Sequence, residues 1–329
     1  MKDVFGILHK EVAELVRERF KEPTPIQRKV IPVVMKGKNA LVISETGSGK
    51  TESVLLPIFS RIVEEEVKPI GVLYITPLRS LNRDMLNRIV WWANKLGFEV
   101  SVRHGDTTQH ERWLQAQHPS ELLISTPESL QAILTGKVMR RHLKNVRWVV
   151  IDEVHELVGN KRGVQLSVGL ERLKEITKSG AGDPQIIGLS ATVGTPKDVA
   201  NFLTGGGRCE IIHAEKVRSM KIGVEFPKTR EIDREISAEY MVSPVVSSRL
   251  RRIKEIVEEK NSVLIFTNTR ESSEVLSSRL KAIYRDIGVE THHSSLSKDV
   301  RILAERDFRE GKLKALVCTS SLELGIDIG

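Results

Sequence analysis

The sequence predicts an α/β protein of two tandem domains, each a parallel sheet covered by helices on both faces. Three observations carry that expectation. Short apolar runs alternate with longer segments of helical period, and the second half of the chain repeats the first. The length of 329 residues, with 40% hydrophobic content, also suits two domains better than one. Strands buried on both faces read as near-continuous apolar runs, and helices between them make the sheet parallel.

In chain order, the expected strands are "NALVIS" (39–44), "GVLYIT" (71–76), "ELLIST" (121–126), "RWVVID" (147–152) and "QIIGLS" (185–190). Between them Leu81, Met85, Ile89 and Trp92 recur at helical spacing. Residues 216–245 break the pattern: "KVRSMKIGVEFPKTREIDREIS" is charged and irregular, and reads as a connector with at most one strand. Alternation then resumes with "SVLIFT" (262–267), "GVETHH" (288–293) and "KALVCT" (314–319). The expected boundaries are a first domain over 1–215, a linker over 216–245 and a second domain over 246–329.

The repeat is visible in three places. "VLYITPLR" starts at Val72 and "VLIFTNTR" at Val263, an offset of 191. Gly97 and Gly288 each precede a strand at the same offset, and Thr126 in "ISTPESL" matches Thr319 in "VCTSSLEL" at 193. Three pairs in one order at nearly one offset imply one architecture used twice. Only the first half carries a phosphate loop, so the second has another task.

Charge points to a partner without naming it. The formal net charge is +8 and the pI near 9.4, which favours a polyanion such as nucleic acid. A solvated basic surface explains the same numbers equally well. Cys209 and Cys318 lie far apart with no CxxC pair, which argues against a disulfide framework, a zinc site or an iron–sulfur cluster. The N-terminus has no long apolar core, and no run of 18 apolar residues exists. The expectation is a cytoplasmic protein with no membrane partner.

The first chemical motif is "SETGSGKT" (44–51). A glycine turn between a buried strand and a helix aims backbone N–H groups at phosphate oxygens, and the helix adds its positive N-terminus. Gly47 and Gly49 permit the close approach, with Thr46 and Ser48 completing the loop. Lys50 would bridge the β- and γ-phosphates, and the Thr51 hydroxyl would hold Mg²⁺. Ser44 stands where the general pattern has Gly, and being small it keeps the loop feasible. The second motif is "VVIDEVHEL" (149–157), a buried strand ending in two acids. Open α/β sheets bind ligands at this carboxyl edge. Asp152 would hold Mg²⁺ through water, and Glu153 would take a proton from the water attacking the γ-phosphate. Gln27, in "PTPIQ" (23–27), could both donate to and accept from an adenine edge.

The kind of phosphate-loop machine follows by comparison of motifs. No NKxD-type guanine reader is present, since "GNKRG" (159–163) lacks the Asp, and no LSGGQ-type stretch exists. What remains resembles a superfamily 2 helicase, in family order: "PTPIQ", "SETGSGKT", "TPLRSL", "TPESL", "IDEVH", "LSATVG" and the pair "IFTNTR" with "TSSLELGIDIG". Within that superfamily "DEVHELVGNKRG", "THHSSLSKDVR" and "TSSLELGIDIG" look most like the Lhr (large helicase-related) group. The resemblance implies two tandem RecA-like domains, ATP and Mg²⁺ as cofactors, and a monomeric 3′-to-5′ translocase on single strands. Its partner would be single-stranded nucleic acid, DNA favoured, with RNA–DNA hybrids also unwound and a link to DNA repair. The rival class is an ATP-gated clamp that binds nucleic acid without turnover.

Loops after several strands would contact the strand, on the face opposite the helices of the triphosphate site. In the first domain they offer Arg79 and Asn82, the backbone N–H groups of Gly105, Asp106 and Thr107, and Thr126 at a helix start. In the second domain the matching places are Thr267, Asn268, Arg270, His293, Thr319 and Ser320. Hydroxyls and helix N-termini suit phosphates, although each Ser or Thr taken singly reads as a helix cap. Ser190 and Thr192 lie after a strand and would bond to His155, and the resemblance makes this a coupling of hydrolysis to strand movement. By the same resemblance Gly325 and Asp327 return to the ATP side. The chain ends at Gly329, directly after "SLELGIDIG". The resemblance implies a further strand and a helix whose arginine reaches the γ-phosphate. The second domain is therefore expected to be incomplete, "KALVCT" to sit near an unpaired sheet edge, and this chain alone to hydrolyse ATP weakly.

Overall fold

The structure, a computed structural model, describes residues 3–45, 47–77, 83–214 and 221–319. The chain divides into two compact units, Met1–Val217 and Arg218–Gly329.

Unit 1 opens with α1 (Lys10–Arg19) and α2 (Pro25–Met35), then alternates strand and helix. The order is β1 (Ala40–Ile43), α3 (Lys50–Glu65), β2 (Val72–Ile75), α4 (Arg83–Leu96), β3 (Val100–Arg103) and α5 (Gln109–Gln117). It continues with β4 (Leu122–Ser125), α6 (Pro127–Thr135), β5 (Trp148–Ile151), α7 (Lys161–Thr177), β6 (Gln185–Ser190), α8 (Pro196–Thr204) and β7 (Glu210–His213). All strands are parallel, in the order β3-β4-β2-β5-β6-β1-β7. The expected apolar runs are the central strands: β1, β2, β4, β5 and β6 are buried throughout. Strand β7 was not anticipated. It is an edge strand, and its two isoleucines between exposed Glu210 and His213 are too short an apolar run to read.

Two hydrophobic layers cover the sheet. One buries Ile26, Phe59 and Trp92 against the side chains of Val42, Tyr74 and Val150; the other buries Leu130, Leu166 and Leu170 against Leu41, Leu73 and Ile151. The alternation along each strand sends neighbours to opposite layers, as the pleat requires. Met85, Ile89 and Trp92 are buried on α4 as their spacing predicts, whereas Leu81 lies outside the described residues.

Unit 2 contains α9 (Glu231–Tyr240), α10 (Pro244–Glu259), β8 (Val263–Thr267), α11 (Arg270–Ile283), β9 (Val289–His292), α12 (Lys298–Arg309) and β10 (Ala315–Thr319). Its parallel sheet runs β8-β10-β9. Matching β2, β3 and β4 to β8, β9 and β10 reproduces the arrangement β2-β4-β3 of unit 1, so the internal repeat is structural. Gly97 and Gly288 share positive φ values of 75° and 63°, a conformation that favours Gly over residues with a Cβ. Both units are RecA-like sheets covered by helices.

Two expectations need correction. The connector holds a helix, α9, where at most a strand was expected. Asp233 is fully buried, accepts from Arg251 Nε at 2.9 Å and fastens α9 to α10, and Arg251 also meets Glu255 at 2.6 Å. The partner lies 18 residues downstream, out of reach of local reading. The second correction concerns "KALVCT": β10 is the middle strand, paired on both sides, because the crossover through α12 returns the chain between β8 and β9.

Candidate active site

The carboxyl edge of unit 1 assembles three separated motifs. Strands β1 and β5 both neighbour β6, so the phosphate loop after β1, Ser190 at the end of β6 and the acids after β5 emerge side by side. Adjacent strands lie about 4.8 Å apart, which sets β1 and β5 roughly 10 Å from each other. The edge is tied together where Ser44 N donates to Ser190 O at 3.0 Å.

The loop is built to leave room for a ligand. Gly47 and Gly49 have φ of 76° and 82°, and Gly49 is the left-handed cap from which α3 starts. A Cβ on Gly49 would stand 2.8 Å from Gln27 Nε2, whereas nothing lies within 4 Å of one on Gly47. Ser44 Oγ donates to Ser48 Oγ at 2.6 Å across the loop, and Lys50 Nζ donates to Ser44 O at 3.2 Å. Lys50 is buried, so an ammonium with few partners waits inside the turn. Thr51 is half-buried on the first turn of α3, and Thr46 lies outside the described residues.

Gln27 is positioned by the start of its own helix. Thr24 and Gln27 form a capping box: Gln27 N donates to Thr24 Oγ1 at 3.4 Å and Thr24 N donates to Gln27 Oε1 at 2.9 Å. Gln27 Nε2 reaches Gly49 O at 3.5 Å, so the amide bridges α2 to the phosphate loop. One N–H and one lone pair of the amide remain for a ligand.

Asp152 and Glu153 differ in role by environment. Asp152 is buried, accepts from Tyr74 Oη at 2.7 Å and takes the Glu153 N–H on its other oxygen at 2.9 Å. Tyr74 was not singled out from the sequence; its hydroxyl, in the middle of an apolar strand, finds in Asp152 the partner that burial demands. Burial and the Asp152 carboxylate push the Tyr74 hydroxyl well above its ordinary range, so it stays a donor. Glu153 adopts positive φ, 46°, the left-handed region that a side chain disfavours. Burial pushes its carboxyl above the ordinary value; Lys50 and His155 pull it down, and Asp152 adds to the rise. A carboxylate whose protonation is so balanced suits proton transfer.

His155 sits in a short 3₁₀ turn, Val154–Glu156. Its Nδ1 lies 3.0 Å from Ser190 Oγ and 3.5 Å from Glu153 Oε2, and its Nε2 lies 3.6 Å from Glu156 Oε1. The expected Ser190–His155 contact is thus present. Thr192 does not share it: its side chain is exposed, and its carbonyl accepts from Ser190 Oγ at 3.1 Å.

The other described candidates of unit 1 lie at the same carboxyl edge, after β3 and β4. Thr126 is buried and caps α6, accepting from Ser129 N at 3.3 Å. Thr107 Oγ1 accepts from His104 N at 2.9 Å. The N–H groups of Asp106 and Thr107, expected to face a ligand, are spent on His104 at 3.1 and 3.2 Å because the segment closes into a turn. Gly105 is exposed, with open space where a Cβ would be. In unit 2, Thr267 and Thr319 are register partners at the strand ends, and Thr267 Oγ1 donates to Cys318 O at 3.3 Å. Asn268 is exposed, and Arg270 donates to Ser295 Oγ at 2.6 Å. His293 is buried, its Nε2 2.6 Å from Glu274 Oε1. Arg79, Asn82, Ser320, Gly325 and Asp327 lie outside the described residues.

Comparison with known proteins gives the family. The profile of the DEAD/DEAH box helicase family matches residues 24–200, and that of the helicase conserved C-terminal domain matches 248–329. The ATP-dependent helicase Lhr-Core of Sulfolobus acidocaldarius is 38% identical over an alignment covering 100% of this chain and 39% of that protein. Its counterpart in Methanocaldococcus jannaschii is 37% identical, covering 100% of this chain and 40% of its own length. The structure of Mycobacterium smegmatis helicase Lhr bound to ssDNA and AMP-PNP superposes with a TM-score of 0.82 at 34% identity, covering 100% of this chain and 43% of that chain. The chain therefore spans about two fifths of the length of these relatives. With one family profile over more than half of its residues, the chain belongs to the DEAD/DEAH box helicase family, and over its whole length it is similar to Lhr-type members.

Proposed function

We propose that this chain is the motor part of an ATP-dependent nucleic-acid helicase, converting ATP hydrolysis into movement along a single strand. One observation carries the reading: Lys50, Glu153, His155 and Ser190, from three separated motifs, converge on one carboxyl edge. Lys50 would exchange Ser44 O for the β- and γ-phosphates, with the backbone N–H groups of Gly47, Ser48 and Gly49 around them. Gln27 would use its remaining N–H and lone pair on the adenine edge.

The donor set fits Mg²⁺. Thr51 and Asp152 supply two protein oxygens, and this ion takes few protein ligands and keeps waters and substrate phosphates. When bound, it would neutralise charge on the phosphates. Glu153 would accept the proton of the attacking water. His155, bonded to Ser190, would pass the state of that site to the end of β6, and the strand contacts would be Arg79, Asn82, Thr126, Thr267, Arg270 and Thr319. The binding of single-stranded DNA by the Mycobacterium smegmatis relative supports DNA as the favoured strand. For the whole protein the same reading carries 3′-to-5′ movement, unwinding of duplexes and RNA–DNA hybrids, a part in DNA repair, a monomeric state and a cytoplasmic location.

Phosphate release measured with and without saturating single strands tests the proposal. Stimulation supports a motor. ATP and strand binding without release would favour the clamp.

A further inference from the structure

A basic depression lies on unit 1, at the sheet edge opposite the candidate triphosphate residues. A 3₁₀ helix over Met139–Asn145 leads directly into β5, and the last turns of α7 lead toward β6, so both stand at the amino edge. Between them is an open depression of about 590 Å³ lined by Lys137, Arg140, Arg141, Lys144, Arg172 and Glu175, with Ile176 and Ser179.

Its charge has a local origin. Lys137, Arg140, Arg141 and Lys144 recur at helical spacing, while Met139 and Leu143 between them are buried in the core. The apolar pair pins the segment and turns the cations outward together. Arg172 joins them from α7. Among the described residues, none of these five cations has an acidic partner within salt-bridge distance; Arg141 and Arg172 donate only to the carbonyls of Val138 and Leu134. The one acid, Glu175, is paired with Lys178 at 2.5 Å. Elsewhere in unit 1 many surface cations do have acids, as Arg17, Arg61 and Arg162 do. His142, on the same segment, is held below its ordinary value by burial and by Arg141 and Lys144, as a positive local field requires. Five unpaired cations around one depression repel one another, and a polyanion relieves that repulsion.

We propose that this depression binds a phosphodiester backbone, giving the protein a second nucleic-acid contact on the face away from its ATP site. The two contacts would let one molecule hold a strand or duplex arm that does not pass through the motor. Binding in the depression does not depend on hydrolysis, so it stands apart from the proposed function.

The test is fluorescence anisotropy of residues 1–329 with a labelled single strand of about 40 nucleotides and, in parallel, a blunt duplex of about 20 base pairs, across a salt series. Removing one phosphate-neutralising cation should shallow the salt slope by about 0.7 on a single strand and about 0.9 on a duplex. Arg140→Ala/Lys144→Ala should therefore shallow it by roughly 1.4 or 1.8 in at least one arm, and which arm responds identifies the ligand. Both side chains are exposed, and an unchanged thermal melt confirms that the variant is folded. Glu175→Gln should move affinity the other way, tightening binding. Unchanged slope and affinity in both arms for the double variant, or no tightening with Glu175→Gln, would overturn the proposal.

Discussion

Replacing Tyr74 by Phe removes the hydroxyl that holds Asp152 and also lies 3.3 Å from Met85 Sδ. The ring is fully buried on β2, and its hydroxyl donates to Asp152 Oδ2 at 2.7 Å. Phe keeps the ring in place and removes a single oxygen, so the change is polar rather than volumetric. A hydrogen bond to a charged group contributes about 1.5–3 kcal/mol, and its loss leaves a buried carboxylate oxygen short of a donor. For a unit the size of Met1–Val217, 1 kcal/mol corresponds to about 2–4 °C, so Tm should fall by about 3–12 °C. Urea unfolding followed by tryptophan fluorescence measures the free energy, and a thermal melt measures Tm. The same variant should need more Mg²⁺ for half-maximal ATP turnover, because Asp152 would lose one of the two bonds that orient it. Stability within about 0.5 kcal/mol of the parent, the range of neutral surface changes, together with an unchanged Mg²⁺ requirement, would refute the reasoning.

Three further outcomes are expected. Lys50→Ala should abolish productive ATP binding while the fold survives, and equilibrium binding of a fluorescent ATP analogue checks this; unchanged affinity would remove Lys50 from the site. Glu153→Gln should keep ATP binding and lower turnover by about 10²–10⁴-fold. That substitution also has a pH signature: burial raises the folded-state carboxyl above its unfolded value, so ionised Glu153 costs stability above that raised value, and the cost disappears as pH falls through it. The Gln variant should accordingly be the more stable protein at pH 7 and lose that advantage on acidification, as paired unfolding curves would show. Ser190→Ala should leave ATP affinity intact and reduce strand-stimulated turnover by cutting the bond to His155; equal stimulation in both proteins would place the coupling elsewhere.

Much of the fold was legible because its signals are local. The central strands announce themselves as apolar runs since both faces are covered, and the repeat at Val72 and Val263 predicted a shared architecture that the strand orders then reproduced. The edge strand β7 and the helix α9 were not legible. The first offers only Ile211 and Ile212 between exposed ends, and the second is fastened by the ion pair of Asp233 with Arg251. In the site, Lys50, Asp152 and Glu153 could be named from their motifs, and so could the meeting of Ser190 with His155. Tyr74 could not, because a tyrosine in a buried strand looks like packing until its partner is known. Thr126 illustrates the opposite: its side chain caps α6, the ordinary role of such a residue.

The sequence by itself determined the local pieces: a glycine loop between a strand and a helix, two acids at a strand end, and apolar residues at helical spacing. Those depend on residue types a few positions apart, where backbone geometry alone dictates what can form. Only the tertiary structure decided which pieces meet. β6 follows β5 in the chain yet lies beside β1, and that one crossover brings the phosphate loop, Ser190 and Glu153 to a common edge. The physical reason is that hydrogen bonding and burial select the strand order for the whole sheet at once, and no short stretch of sequence carries that choice.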